Sequence, residues 1–144
     1  MEMDVYHNLL RNGIRPSTQR LAIMNYLLTH PTHPTVDEVY QGLCNEIKTL
    51  SRTTVYNTLR MFAEKNLAQM ITINEHHVCY DGCTRPHKHF YCNRCAHVFD
   101  IFDETSVNQS VSMNIDGHQV LETQVYYRGF CKNCLNSNIK QGSN

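Results

Sequence analysis

The stretch Ser51-Arg-Thr-Thr-Val55-Tyr56-Asn-Thr-Leu59-Arg60-Met-Phe62-Ala-Glu-Lys65-Asn-Leu67-Ala-Gln-Met-Ile-Thr-Ile73-Asn-Glu-His76-His-Val-Cys-Tyr80 decides how the first half of this chain folds. Val55, Leu59 and Phe62 recur at helical spacing behind Ser51, whose hydroxyl suits an N-cap, so the spacing predicts a helix to about Lys65. Residues 67–73 and 76–80 are apolar runs around Asn74-Glu75 and predict two strands of a hairpin. A helix followed by a hairpin is how a winged helix-turn-helix ends.

Upstream of that stretch the sequence offers three more helices. Residues 3–12 read as helical and stop at Gly13, a residue suited to the left-handed position after a helix. Pro16-Ser17 announces a helix from about 18 to 30, with Leu21, Met24, Leu27 and Leu28 on one stripe. The prolines of His30-Pro-Thr-His33-Pro34 break it. Thr35 with Glu38 forms a capping-box pattern for a third helix, whose apolar face is Val36, Val39, Tyr40, Leu43 and Ile47. Helices plus a hairpin match a winged helix-turn-helix over residues 1–80, although many folds share that inventory.

Composition changes after Asp81. Residues 88–92 and 97–102 read as strands, 104–115 as a helix with Val107, Val111 and Ile115 on one face, and 118–128 as one long strand. The expected architecture is α+β: a winged helix-turn-helix at 1–80, a hinge at 81–86, a small α/β module at 87–136 and a flexible tail at 137–144. So small a sheet leaves edges that a twin subunit could cover. Thirteen Lys and Arg balance thirteen Asp and Glu, so any nucleic-acid contact must come from a local basic face rather than bulk charge. Neither a signal peptide nor a bilayer-length apolar run is visible, which makes the cytoplasm the expected compartment and gives no expectation of a membrane partner.

Seven cysteines include two C-x-x-C pairs, Cys92/Cys95 and Cys131/Cys134, separated by 35 residues. Each pair follows a strand-like run, and four thiolates make the tetrahedral set that structural zinc prefers. One Zn²⁺ per chain would staple a module too small to hold itself together. The bland alternative is two buried or redox-active pairs. Cys44 reads as a small packing residue, while Cys79 and Cys83 are ambiguous.

His87-Lys-His89 places two imidazoles on one face of a strand, able to converge on one ion. Each of the nearby groups has an ordinary reading: Asp81 before Gly82 as a turn residue, Asp100 as a surface carboxylate, His33 as a loop histidine. On the helix behind Ser51, the residues Ser51, Arg52, Thr53, Thr54, Tyr56, Asn57 and Arg60 suit phosphate and base contacts, and equally suit a solvated helix face.

Together these blocks resemble the ferric uptake regulator family, and most closely its peroxide-sensing branch. The resemblance rests on Gly13-Ile-Arg15 with Gln19-Arg20, on His33-Pro-Thr-Val-Asp-Glu-Val-Tyr40, and on Ser51-Arg-Thr-Thr54-Val-Tyr56-Asn-Thr-Leu59-Arg60. It continues through Asp81, His87-Lys-His89-Phe-Tyr-Cys92-Asn-Arg-Cys95, Asp100 and Cys131-x-x-Cys134, nearly the whole chain. It implies a homodimeric, metal-dependent repressor of double-stranded DNA operators rather than an enzyme with an organic substrate. Its regulatory Fe²⁺ or Mn²⁺, one per chain, would be held by His33, Asp81, His87, His89 and Asp100. Three imidazoles and two carboxylates suit those ions, while the cysteines keep zinc.

Asp rather than Glu at position 81, with Asp100, points to the peroxide branch, in which His33 or His87 would be the oxidised ligand. By the same resemblance Arg15 reaches toward a minor groove and Arg20 joins the DNA contacts, with Tyr56 the base reader. Two departures stand out: Pro16 comes earlier than usual, and Glu122-Thr123 occupy the place of a histidine that iron-sensing relatives often use for a further site. Competing readings are an iron- or zinc-responsive repressor indifferent to peroxide, a His/Asp metalloenzyme, and a thiol switch built on the C-x-x-C pairs.

Overall fold

The computed structural model describes residues 2–72, 78–85, 87–102, 113–121 and 123–141. The chain divides into two compact units, Met1–Thr84 and Arg85–Asn144.

The first unit contains helices α1 (Glu2–Arg11), α2 (Thr18–Thr29), α3 (Val36–Leu43) and α4 (Arg52–Glu64), then strands β1 (Gln69–Ile71) and β2 (Cys79–Asp81). Its helices begin where side-chain oxygens satisfy the first orphan backbone donors: Ser17 accepts from Arg20, Thr35 from Glu38 and Ser51 from Thr54. Two end in left-handed residues, Gly13 after α1 and Asn66 after α4, at φ 74° and 61°. There Ile14 N–H donates to Leu9 and Leu67 N–H to Phe62, the six-to-one bond that closes a helix and turns the chain.

Leu9, Ile23, Val39, Val55, Leu59 and Phe62 are wholly buried in one core shared by all four helices. Burial of each such side chain contributes roughly 1.5–3 kcal/mol. β1 and β2 pair antiparallel, with Gln69 opposite Asp81 and Ile71 opposite Cys79. The expected strands are thus present but shorter, and residues 73–77 at the hairpin tip lie outside the described residues. Asp81, expected at the start of a hinge, is the last residue of β2 and belongs to this unit.

The second unit has a three-stranded sheet in the order β4 (Val98–Ile101), β3 (Lys88–Cys92), β7 (Tyr126–Gly129), antiparallel between β3 and β4 and parallel between β3 and β7. A separate hairpin joins β5 (Met113–Ile115) to β6 (His118–Val120). Helix α5 (Lys132–Gln141) closes the unit.

Three expectations fail here. The helix expected at 104–115 ends in a strand instead, and its remainder, 104–112, lies outside the described residues. Asp116 and Gly117, at φ 50° and 80°, form a two-residue turn with both φ values positive, which draws 113–115 against 118–120. The expected 118–128 strand is divided between two sheets, 118–120 pairing with β5 and Tyr126–Gly129 lying beside β3. The tail expected from 137 is helical as far as Gln141, because Cys131 starts a helix: its sulfur accepts from the Cys134 N–H at 3.4 Å, as an N-cap oxygen would. Among the described residues no helix is long and apolar enough to cross a membrane.

Candidate metal centres

Cys92 closes β3, Cys95 follows in the turn toward β4, and Cys131 and Cys134 sit at the start of α5. All four sulfurs lie within 4.8 Å of one another. Cys92 Sγ is 3.7 Å from Cys134 Sγ, and Cys95 Sγ is 3.9 Å from Cys131 Sγ. Tetrahedral metal–sulfur bonds of about 2.3 Å place sulfurs about 3.8 Å apart, whereas a disulfide needs about 2 Å. The spacing is that of a four-thiolate site consistent with zinc.

The backbone prepares this site. Ala96 adopts the left-handed conformation at φ 61°, which curls the first pair back on itself. The N–H groups of Cys95 and Cys131 donate to Cys92 Sγ at 3.5 and 3.3 Å. Burial opposes a thiolate at Cys92, but these donors outweigh it and pull the thiol down to about 6. Cys134, sharing a hydrogen with Cys131 and part-buried, is pushed up to about 12. Holding four thiolates this close together takes a cation.

The nitrogen and oxygen donors fall in both units, and each group has its own geometry. In the first unit His33 Nε2 lies 3.5 Å from Asp81 Oδ2, with both residues about 95% buried. Pro34 accepts a hydrogen bond from the Tyr80 N–H at 2.9 Å, and Thr35 bridges to Cys79, so the loop bearing His33 is stitched to β2. Asp81 Oδ1 accepts from the Cys83 N–H at 2.9 Å, while Oδ2 faces the His33 imidazole. His33 itself stands at φ 59°, a left-handed conformation that costs a non-glycine residue about 1–2 kcal/mol. Strain of this kind persists where the surroundings over-determine it.

In the second unit His89 is paired across the ladder with Asp100, and His87 precedes the same strand. Asp100 Oδ1 is 3.1 Å from His87 Nε2 and 3.4 Å from His89 Nε2. The two imidazole rings meet edge to face, 4.5 Å between centroids. The Arg85 carbonyl, 2.5 Å from His87 Nδ1, accepts the proton there and leaves the Nε2 lone pair as the donor. Phe102 packs on His87 and carries the Arg85 guanidinium 4.2 Å above its own ring. The first unit therefore offers one imidazole and one carboxylate, the second two imidazoles and one carboxylate.

On α4, Tyr56, Asn57 and Arg60 are exposed as the helical pattern requires. Others expected to meet DNA are engaged within the protein. Ser51 caps the helix and bonds the Thr54 hydroxyl at 2.9 Å. Arg52 donates to Asp37 at 2.7 Å and lies 4.3 Å over the Tyr40 ring, clamping α4 to α3. Arg20 donates to the Arg15 carbonyl at 2.7 Å, while Arg15 stays exposed. Sequence reasoning missed the partners that orient these groups: Asp37, Glu64, the Arg85 carbonyl and the Cys83 N–H. Only Glu64 left a signal, four residues after Arg60.

Comparison with known proteins places this geometry in context. A model of the ferric uptake regulator family matches residues 11–128. The peroxide-responsive repressor PerR of Staphylococcus epidermidis is 30% identical over 128 residues, covering 88% of this chain and 85% of that protein. Among solved structures, the ferric uptake regulator Fur of Helicobacter pylori, with three functional metal-binding sites, superposes with a TM-score of 0.68 at 18% identity, covering 94% of each chain. PerR from Streptococcus pyogenes, whose structure addresses peroxide sensing and gene regulation, gives 0.53 at 25% identity over 92% of each.

Proposed function

Since this chain belongs to the ferric uptake regulator family, we propose that it is a metal-dependent repressor that binds operator DNA as a homodimer and senses peroxide by oxidation of a ligand histidine. The observation that carries this reading is the donor set itself. One imidazole and one carboxylate are held ready in the first unit, two imidazoles and one carboxylate in the second. In this reading His33, Asp81, His87, His89 and Asp100 hold one Fe²⁺ or Mn²⁺ in common, and the four cysteines hold Zn²⁺.

A shared ion couples the two units and selects a DNA-competent arrangement of the dimer, so operator binding must tighten metal binding by the same factor. Aspartates at 81 and 100, together with the identity to a peroxide-responsive repressor, support the peroxide branch over iron sensing alone. Bound Fe²⁺ supplies the one-electron chemistry with H₂O₂ by which, in net, an imidazole C–H becomes C–OH and the peroxide leaves as water. Oxidation of His33 or His87 spoils a Nε2 donor, and the unit that loses it is released. Arg15, Tyr56 and Asn57, all exposed, are the residues assigned to DNA, with Arg20, Ser51, Arg52 and Thr54 bonded within the protein and holding them in place.

Mass spectrometry combined with operator binding tests this. Iron-loaded protein treated with H₂O₂ is expected to gain one oxygen atom on the His33 or His87 peptide and to release its operator. Manganese-loaded protein is expected to do neither. Operator binding that requires metal, with both histidine peptides unoxidised, leaves a repressor that responds to iron or zinc and not to peroxide.

A further inference from the structure

Tyr56, Arg60 and Glu64 stand four residues apart on α4, along one stripe turned away from the buried Val55, Leu59 and Phe62. Arg60 Nη1 donates to the Tyr56 hydroxyl oxygen at 3.0 Å, and Arg60 Nε lies 3.5 Å from Glu64 Oε1. The guanidinium is thus used on two edges at once, inside its own helix. The sequence alone makes Arg60 a free cation for phosphate.

Resting on the DNA-binding reading above, we propose that Arg60 and Glu64 are positioning residues that make Tyr56 a hydrogen-bond donor to the base it reads. A phenol oxygen that accepts from Arg60 directs its own hydrogen elsewhere, and the outward-facing partner must then be an acceptor. In the major groove thymine O4, adenine N7 and guanine N7 and O6 are acceptors, whereas cytosine offers an amino donor. Tyr56 therefore selects against cytosine at the position it faces. Glu64 holds Arg60 to this task; Lys could not serve, because only the planar guanidinium reaches both partners with a fixed fork.

Glu64 has a second consequence. A chain with no net charge has little nonspecific attraction for DNA, and an arginine tied to a carboxylate adds none. Released from Glu64, Arg60 reaches a phosphate on any sequence.

The test starts from a duplex selected out of a randomised pool by the metal-loaded wild-type chain. Every base pair of one half-site is then varied symmetrically in both halves. Comparison of wild type with Tyr56→Phe locates the base pair read by the hydroxyl, where the preference over cytosine falls about fivefold on loss of one hydrogen bond. At that pair Arg60→Ala is expected to lose the preference as fully as Tyr56→Phe, and the double variant to lose no more. Glu64→Gln is expected to weaken it and to raise affinity for a scrambled duplex, with a salt slope steeper by about one phosphate contact. In the Arg60→Ala background Glu64→Gln should change neither.

An Arg60→Ala protein that keeps the wild-type preference at the Tyr56 position overturns the inference. So does a Glu64→Gln effect that persists without Arg60, since that would be bulk charge alone. A wild-type chain that selects no duplex in any metal form overturns the DNA-binding reading itself, a different result from either.

Discussion

The sulfur cluster and, in the proposed reading, the imidazole–carboxylate set would use the same physical means, fixed donors for a cation, to opposite ends. All four sulfurs come from the second unit, on a strand end, a turn and a helix start that the backbone already orients. The nitrogen and oxygen donors are divided, two in the first unit and three in the second. A site contained in one small unit can only stabilise that unit. A site whose ligands are shared between two units, as proposed for the second metal, would link metal binding to their arrangement, and so could signal. Ligand chemistry follows the same division, with soft thiolates for a permanent ion and mixed N/O donors for an exchangeable one.

The largest expected effect breaks the first half of this comparison. Cys131→Ser removes a ligand and the sulfur that accepts from the Cys134 N–H at the start of α5, so zinc content should fall from one per chain to none. Metal binding at such sites contributes on the order of 10 kcal/mol to folding, more than so small a core can replace. Hydrogen exchange should show β3, β4 and β7 unprotected, while α2 and α4 of the first unit keep their protection. Protection retained in the sheet after zinc loss would show that the second unit does not depend on its staple.

His89→Ala probes the other half. This residue is 99% buried and paired opposite Asp100, so its loss should weaken Fe²⁺ or Mn²⁺ binding by at least about 100-fold. Zinc should remain at one per chain. Operator binding should lose its metal dependence, a coupling of about 5–150-fold. If zinc and the second metal fell together, the two sites would not be separable in the way their geometry indicates.

What could be read in advance differs between the units for a local reason. The first unit is built of signals within a few residues of one another: Ser17, Thr35 and Ser51 as caps, Gly13 as a stop, Val55, Leu59 and Phe62 as a stripe. The cysteine pairs were legible too, because C-x-x-C spacing reports on a single turn. The second unit depends on pairings that residue spacing does not show. Val107, Val111 and Ile115 share helical spacing, yet Ile115, the one of the three among the described residues, is a strand end opposite His118 beside the Asp116-Gly117 turn. His33 carried no signal of its own in a proline-rich turn; only family resemblance singled it out. Arg52 looked like a free cation because Asp37 lies on another helix, while Arg60's partner Glu64 was legible only as a carboxylate four residues on.

The smallest effect sharpens what it means for a ligand to be held ready. His33 stands at φ 59° before Pro34, in a conformation that glycine adopts freely and other residues pay for. His33→Ala removes the imidazole and keeps the strain; His33→Gly removes both. The two variants should fail equally to bind the regulatory metal, since neither supplies a nitrogen. In urea unfolding of the metal-free protein, however, His33→Gly should be the more stable by about 1 kcal/mol. Such a difference would show that the first unit holds His33 in a strained conformation whether or not metal is bound. Equal stabilities would mean instead that the loop relaxes without the ion, and that the geometry at His33 and Asp81 is completed only on binding.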